Sequence, residues 1–185
     1  MTPLLTDFLQ RQRLRVVSPY LKGSVLDLGC GNAKIVALLR IDQSYVGVDG
    51  RLDMIGWLKD NYARYVFYHR DLDREALVLS GQFDTILMMA VIEHLADPGR
   101  VLSQLPHYLK PEGQLIITTP SPLGNKIHQV GARFGVFSIE ATREHKIIFD
   151  YRALRARLER NGLQITHYRR FLLGGNQLFV CEVAR

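Results

Sequence analysis

A single α/β domain on a doubly wound, seven-stranded, mostly parallel sheet is the fold this sequence predicts, and three observations predict it. Short apolar runs alternate with stretches of helical spacing along almost the whole chain, the pattern of strands covered on both faces by crossover helices. The first such run, Val25–Leu28, ends in the turn Gly29-Cys30-Gly31. The last two runs are separated by Gly174-Gly175-Asn176, a hairpin signal that makes the closing pair antiparallel.

Each element follows from local chemistry. Residues 4–17 form an amphipathic helix, with Leu5, Phe8 and Leu9 on one face and Arg11, Arg13 and Arg15 following. The first strand is 24–28; Asn32 can cap a helix that carries Ile35, Leu38 and Leu39 at helical spacing. Strand 45–49, helix 52–60, strand 65–69, a short helix at 74–79 and strand 83–88 come next. Asp97-Pro98 is a cap followed by a first-turn proline. The helix it starts carries Val101, Leu102, Leu105 and Leu109, and Pro106 inside it should kink or shorten it. Strand 114–119 precedes an irregular stretch at 120–150, which reads as an insertion over the site. Asp150 caps a helix ending at Asn161-Gly162, and strands 163–172 and 177–183 close the chain. There are no internal repeats, low-complexity tracts or linkers, so residues 1–185 form one domain, with 1–22 as an N-terminal helical segment.

Composition narrows the class. The 185 residues are 47% hydrophobic and 23% charged, ordinary for a globular protein. The longest apolar run, near Ile86–Ile92, is far short of the ~20 residues a membrane span requires. Asp7 and Gln10 stand where a signal peptide would be apolar, so no targeting segment is expected. Cys30 and Cys181 form neither a disulfide framework nor a metal-ligand spacing, and a reducing, cytoplasmic setting is the expectation. Of the net charge of +6, residues 151–185 hold seven arginines (152, 155, 157, 160, 169, 170 and 185) against Glu159 and Glu182. That end could face an acidic partner, but it has neither a basic block nor aromatic interleaving, and an ordinary solvated helix face is the better reading.

The glycine turn carries the chemistry. A dinucleotide fingerprint needs a third small residue where this chain has Lys34. Read as acid-x-Gly-x-Gly-x-Gly, the chain supplies Asp27, Gly29 and Gly31, then Ala33. Asp49 ends the second strand eighteen residues after Gly31. A carboxylate under the turn would repel a pyrophosphate and attract a cation; a carboxylate at the end of strand two can accept both hydroxyls of a ribose. The pair suits S-adenosylmethionine better than NAD. Asp27 is expected to hold the ammonium of the methionine tail, and the N–H groups of the helix after the turn its carboxylate. The two glycines could instead only be making the turn, and Asp49 could be an ordinary turn aspartate.

From these residues the chain resembles class I S-adenosylmethionine-dependent methyltransferases, most closely the type 11 branch that includes ubiquinone and menaquinone biosynthesis enzymes. The resemblance runs from about Gly23 to Pro120 through Val-Leu-Asp-Leu-Gly-Cys-Gly, Val-Gly-Val-Asp, Arg-Asp-Leu-Asp at 70–73, the run 83–95 ending Val-Ile-Glu-His-Leu, and Leu-Lys-Pro-Glu-Gly at 109–113 leading to Pro120. It implies a Rossmann-like methyltransferase fold with an antiparallel last strand inserted in the sheet. It also implies that Asp71 accepts from the adenine amino group while the Leu72 N–H donates to a ring nitrogen; Asp73 is the alternative acid. Gly50 beside Asp49 and Asn32 beside Gly31 complete the cofactor set, and Met89 and Ala90 after strand four would cover adenine or sulfonium.

Activation of the acceptor is less constrained. An oxygen acceptor of high pKa needs a base, and histidine titrates in the useful range. His94, His145 and, behind them, His128 are candidates, each also readable as a structural hydrogen-bonding group. The run Met88-Met89-Ala90-Val91 lacks the Asn/Asp-Pro-Pro-Tyr/Phe segment of amino-group methyltransferases acting on adenine or glutamine, which argues against that class. The insertion at 120–150 mixes apolar, basic and glycine residues and suits a lid over an amphiphilic, aromatic or anionic small molecule. The expected function is methyl transfer to oxygen or carbon of such an acceptor. A non-catalytic cofactor-binding partner domain and an RNA methyltransferase are the alternatives.

Overall fold

The computed structural model describes residues 4–125 and 146–184, with side chains from residue 7. Seven strands, β1 (Val25–Leu28), β2 (Tyr45–Asp49), β3 (Val66–His69), β4 (Phe83–Met89), β5 (Leu109–Pro120), β6 (Leu163–Phe171) and β7 (Asn176–Val183), form one sheet in the order β3-β2-β1-β4-β5-β7-β6. The first five are parallel; β7 runs antiparallel between β5 and β6. This is the doubly wound architecture the sequence predicts, with the inserted antiparallel strand the resemblance implies.

Although β1 is buried throughout, its side chains still alternate between two layers. Leu26 and Leu28, with Ile86 and Met88 of β4, face a layer built from Val101, Leu102 and Leu105 and from Leu154 and Leu158. Those residues belong to α3 (Pro98–Leu102), α4 (Leu105–Tyr108) and α5 (Tyr151–Arg160). Val25, Tyr45, Phe67 and Leu87 face Val16 and Val17 of α1 (Leu4–Val17) and Ile55 and Leu58 of α2 (Leu52–Asn61). Asp27 therefore points into the α1/α2 layer.

The expected caps are present. Asp97 accepts from the N–H of Gly99 and Arg100, and Asp150 from Ala153. Pro106 sits in the short α4, separate from α3, so the expected single helix is broken in two. Two other expectations fail. After the glycine turn there is only a 3-10 turn at Lys34–Leu38, with Ala33 in the left-handed region at φ 52° and no side-chain cap. Asn32 instead accepts from Gln10 of α1 through Oδ1, and Leu38 is exposed. Residues 74–79 are not helical, because their backbone groups are met from outside: Gln104 Oε1 accepts from Leu77 N–H, and the Tyr108 hydroxyl donates to Leu77 O. No helix among the described residues is long and apolar enough to cross a membrane.

Candidate cofactor site at the carboxyl rim

The chain leaves β1 outward through β2 and β3, then returns to place β4 on the other side of β1. In open α/β sheets the crevice beyond the carboxyl ends at such a reversal is where ligands bind. The glycine turn after β1, the end of β2, the loop after β3 and the loop after β4 all converge there, and with them most of the residues singled out in the sequence.

Asp27 lies one layer beneath the turn and is buried. Its Oδ2 accepts from the Tyr45 hydroxyl at 2.9 Å, while Oδ1 is buried with no hydrogen-bond partner. Burial pushes its carboxyl up to about 7, against the Tyr45 bond and with the help of nearby Asp49. An orphaned buried oxygen costs on the order of 1–3 kcal/mol, so a cation or donor arriving there is favoured. Gly29 holds φ +70°, and a Cβ on it would stand 2.4 Å from Val91 in the loop after β4. Both the conformation and the contact exclude a side chain, and they bring the two loops together.

Asp49 is partly committed already. Oδ2 accepts from Gly31 N–H at 2.8 Å, and Oδ1 accepts from the N–H of Arg51 at 3.0 Å and from its Nε at 3.3 Å. The next residue, Gly50, is exposed, and its carbonyl accepts from His69 Nε2 at 3.0 Å. The 3-10 turn after Gly31 is too short to supply the row of N–H groups expected for the methionine carboxylate. Lys34 of that turn pairs with Asp7 of α1 at 2.9 Å.

The loop after β3 separates its two acids. Asp71 has a side chain nearly half exposed; its Oδ1 accepts from Asp73 N–H and its Oδ2 lies 3.5 Å from Arg74. Leu72 is buried at the edge of the core. Asp73 is a tie rather than a helix cap: it accepts from Ala96 N–H and from Lys146 Nζ, both at 2.7 Å. Asp71 is therefore the more exposed of the two acids.

Met89 is the last residue of β4, not the first after it, and is partly buried; Ala90, at φ 55°, donates its N–H to Thr118 O. His94 ends a 3-10 turn at Ile92–His94 and is partly buried. The residue before it is the one sequence reasoning passed over. Glu93 is fully buried, and neither carboxylate oxygen has a hydrogen-bond partner. Burial raises its pKa, with Arg13 of α1 the charge that most opposes the rise. Arg13 itself donates from Nε and a terminal nitrogen to Asn176 Oδ1, each at 3.3 Å. The Oγ atoms of buried Thr118 and Thr119 also lack partners. A carboxylate inside the apolar run Val91–Leu95 was the available signal, masked by the histidine beside it.

Two cavities lie at opposite ends of the strands. One of about 390 Å³, lined by Asn32, Asp53, Met54 and Trp57, lies between the glycine turn and α2. A larger one of about 780 Å³, with Lys22, Lys110 and Glu182 in its wall, opens where β4 begins, opposite the rim. His128, His145 and most of the 120–150 insertion lie outside the described residues. The chain enters that stretch from Pro120 at the end of β5 and is met again at Lys146, where the N–H groups of Lys146 and Ile147 donate to Glu93 O. The arginine-rich end lies on α5 and the edge strand β6, three strands from β4; among its arginines, Arg155 pairs with Glu159 and Arg157 lies over the Phe149 ring.

A family model described as "Methyltransferase domain" matches residues 3–168. Among curated relatives, a ubiquinone biosynthesis O-methyltransferase from Dinoroseobacter shibae is 32% identical over 131 residues, 64% of this chain and 52% of its own length; the chain spans about half the length of that relative. Magnesium protoporphyrin IX methyltransferase from Synechocystis PCC 6803, solved with bound SAH, superposes with a TM-score of 0.72 at 19% identity, covering 95% of this chain and 84% of that one. An S-adenosylmethionine-dependent methyltransferase from Clostridium acetobutylicum gives a TM-score of 0.70 at 14% identity, over 97% and 90% of the two chains. These two share the fold.

Proposed function

This chain belongs to the methyltransferase domain family, and from that premise we propose that it is a class I, ubiquinone-like member that transfers a methyl group from S-adenosylmethionine to an oxygen or carbon atom of a small-molecule acceptor. The observation that carries the reading is the orphaned Asp27 Oδ1 beneath the glycine turn. A buried anionic oxygen without a donor suits an ammonium group and repels a phosphate. Asp27 would hold the methionine ammonium, Asp49 the ribose hydroxyls, and Asp71 with the Leu72 N–H the adenine edge. Gly29, Gly31, Asn32 and Gly50 form the backbone cradle, and Met89 and Ala90 the apolar cover. When bound, the cofactor supplies an electrophilic methyl group on a sulfonium leaving group.

The chain's own residues then have two tasks: to exclude water, and to hold the acceptor atom in line with the methyl group. For a hydroxyl acceptor a base must also take the proton; His94 and His145 are the residues proposed for it. The insertion at 120–150 would close over the acceptor. The names of the curated relatives favour a hydroxyl over a carbon acceptor; the cytoplasmic setting rests only on the two unpaired cysteines, Cys30 and Cys181. Calorimetric titration with S-adenosylmethionine and S-adenosylhomocysteine, followed by a labelled-methyl assay on hydroxyaromatic compounds and on bulk RNA, tests this reading. Cofactor binding with label on the aromatic compounds supports it; label on RNA alone, or binding without transfer to any of them, replaces it with one of the other two readings.

A further inference from the structure

We propose that Tyr45 is a positioning residue for the cofactor's ammonium group: it clamps one carboxylate oxygen of Asp27 so that the other is presented unpaired to the incoming cation. This rests on the cofactor reading above and goes beyond it, since nothing in the motif pattern assigns a role to the residue that begins β2.

The clamp is built from both sides. Tyr45 and Asp27 stand on the same face of neighbouring parallel strands, with Asp27 level with Gly47 in the register. The hydroxyl donates to Asp27 Oδ2 at 2.9 Å in a buried environment. The ring cannot swing away: it meets Tyr65 edge-on at 5.6 Å between centroids and 72°, and Phe67 at 5.8 Å and 60°. Gly47 leaves the room this needs, because a Cβ there would fall 2.8 Å from the Phe67 ring and 3.0 Å from Cys30 Sγ. Tyr45 is 2% exposed, so its hydroxyl has no water to turn to. With Oδ2 held, the carboxylate has one orientation and one open oxygen.

The groups around Asp27 set the proton balance. From β2, Tyr45 stabilises the anion and Asp49 opposes it; from the turn, Cys30 is a thiol that burial keeps protonated; from β4, the level residue is the apolar Leu87. Net burial wins, which places the carboxyl at about 7. A cation docking at Oδ1 favours the charged form, so at pH 6 binding must expel the Asp27 proton.

The test compares S-adenosylhomocysteine, which carries the ammonium tail, with 5′-methylthioadenosine, which is the nucleoside without it. Titration calorimetry in two buffers of different ionisation enthalpy counts protons released. For the wild type, release of close to one proton at pH 6 is expected with S-adenosylhomocysteine and none with 5′-methylthioadenosine, with affinity for the former rising about tenfold from pH 6 to pH 8. Tyr45→Phe removes the bond that favours the anion and moves the midpoint up by about one unit, so affinity at pH 7 falls about fivefold and recovers to within twofold at pH 8.5. Asp27→Asn abolishes the proton release. S-adenosylhomocysteine binding without pH dependence, or a Tyr45→Phe profile that superposes on the wild type, overturns the positioning role while leaving the cofactor reading intact; should Tyr45→Phe fail to fold, proton release that persists in Asp27→Asn overturns it equally. Failure of the wild type to bind either nucleoside at millimolar concentration removes the cofactor reading, and this inference with it.

Discussion

Gly31 donates its backbone N–H to Asp49 Oδ2 across 2.8 Å, tying the glycine turn after β1 to the acid that ends β2. The acid is thus built into the turn before any ligand arrives, and its other oxygen is occupied by Arg51. A ribose held by Asp49, as proposed, would share Oδ2 and displace the Arg51 side chain, which is more than half exposed.

That geometry separates two substitutions. Asp49→Ala should weaken S-adenosylhomocysteine binding by about tenfold or more, about 1.4 kcal/mol. Arg51→Ala should leave binding unharmed or tighten it by about threefold, because it removes the Nε bond that competes for Oδ1. Titration calorimetry on the two purified variants decides; equal losses in both would mean that Asp49 serves the turn and not a ribose.

The Gly29 contact with Val91 gives a stability prediction. A methyl group at Gly29 meets two obstacles: φ +70° and Val91 Cγ2 at 2.4 Å. The left-handed conformation alone costs ~1 kcal/mol for an alanine, and the clash adds to it. Gly29→Ala should lose about 3 kcal/mol in urea unfolding, and Val91→Ala in the same chain should restore the clash portion but not the conformational one. Full recovery in the double variant would show that the backbone at Gly29 tolerates alanine.

Most of the fold was legible because hydrophobic period and caps agree locally. The Asp97 and Asp150 caps, the break at Pro106 and the hairpin at 172–175 all rest on contacts within a few residues. Misreadings arose where distant groups decide. Lys34–Leu38 carries helical spacing but too little chain before the loop at Arg40, and Gln10 of α1 takes the oxygen Asn32 would have used as a cap. Residues 74–79 look helical until Gln104 and Tyr108 claim their backbone groups. In the site, Asp27 and Asp49, the acids proposed for the cofactor, are picked out by their spacing along β1 and β2. Tyr45, Arg13 and Glu93 do not, because their partners lie on other elements and look like ordinary core or surface residues in one dimension.

Asp27 also sets a pH dependence. The unfolded chain releases this proton near pH 4, whereas the fold keeps it to about 7. Between those values the native state binds the extra proton, so stability from this group is present at low pH and is lost as pH rises through the window, by at most about 4 kcal/mol. Asp27→Asn removes the linkage. The stability of Asp27→Asn relative to the wild type should therefore climb from pH 4.5 to 7.5 in paired urea melts; a constant difference would place the Asp27 carboxyl at its ordinary value.

Arg13 and Glu93 give the sharpest energetic test. Glu93 sits at the exit of β4 with both oxygens unpartnered, and α1 brings Arg13 as the charge that offsets it. Arg13 is half-buried and no ion pair joins it to Glu93, yet removing it leaves a buried carboxylate without the charge that most opposes its desolvation, at a cost of about 1–3 kcal/mol, whereas replacing both is often neutral. Arg13→Met should therefore be strongly destabilising although it keeps the apolar stem, and it also releases Asn176. Glu93→Gln should be mild, since it removes the desolvated charge and keeps the shape. The double variant should recover at least about 1 kcal/mol relative to the sum of the singles. Additive losses in a denaturation cycle would mean that Arg13 acts through Asn176 alone and that the Glu93 carboxyl is protonated in the fold, needing no counter-charge from α1.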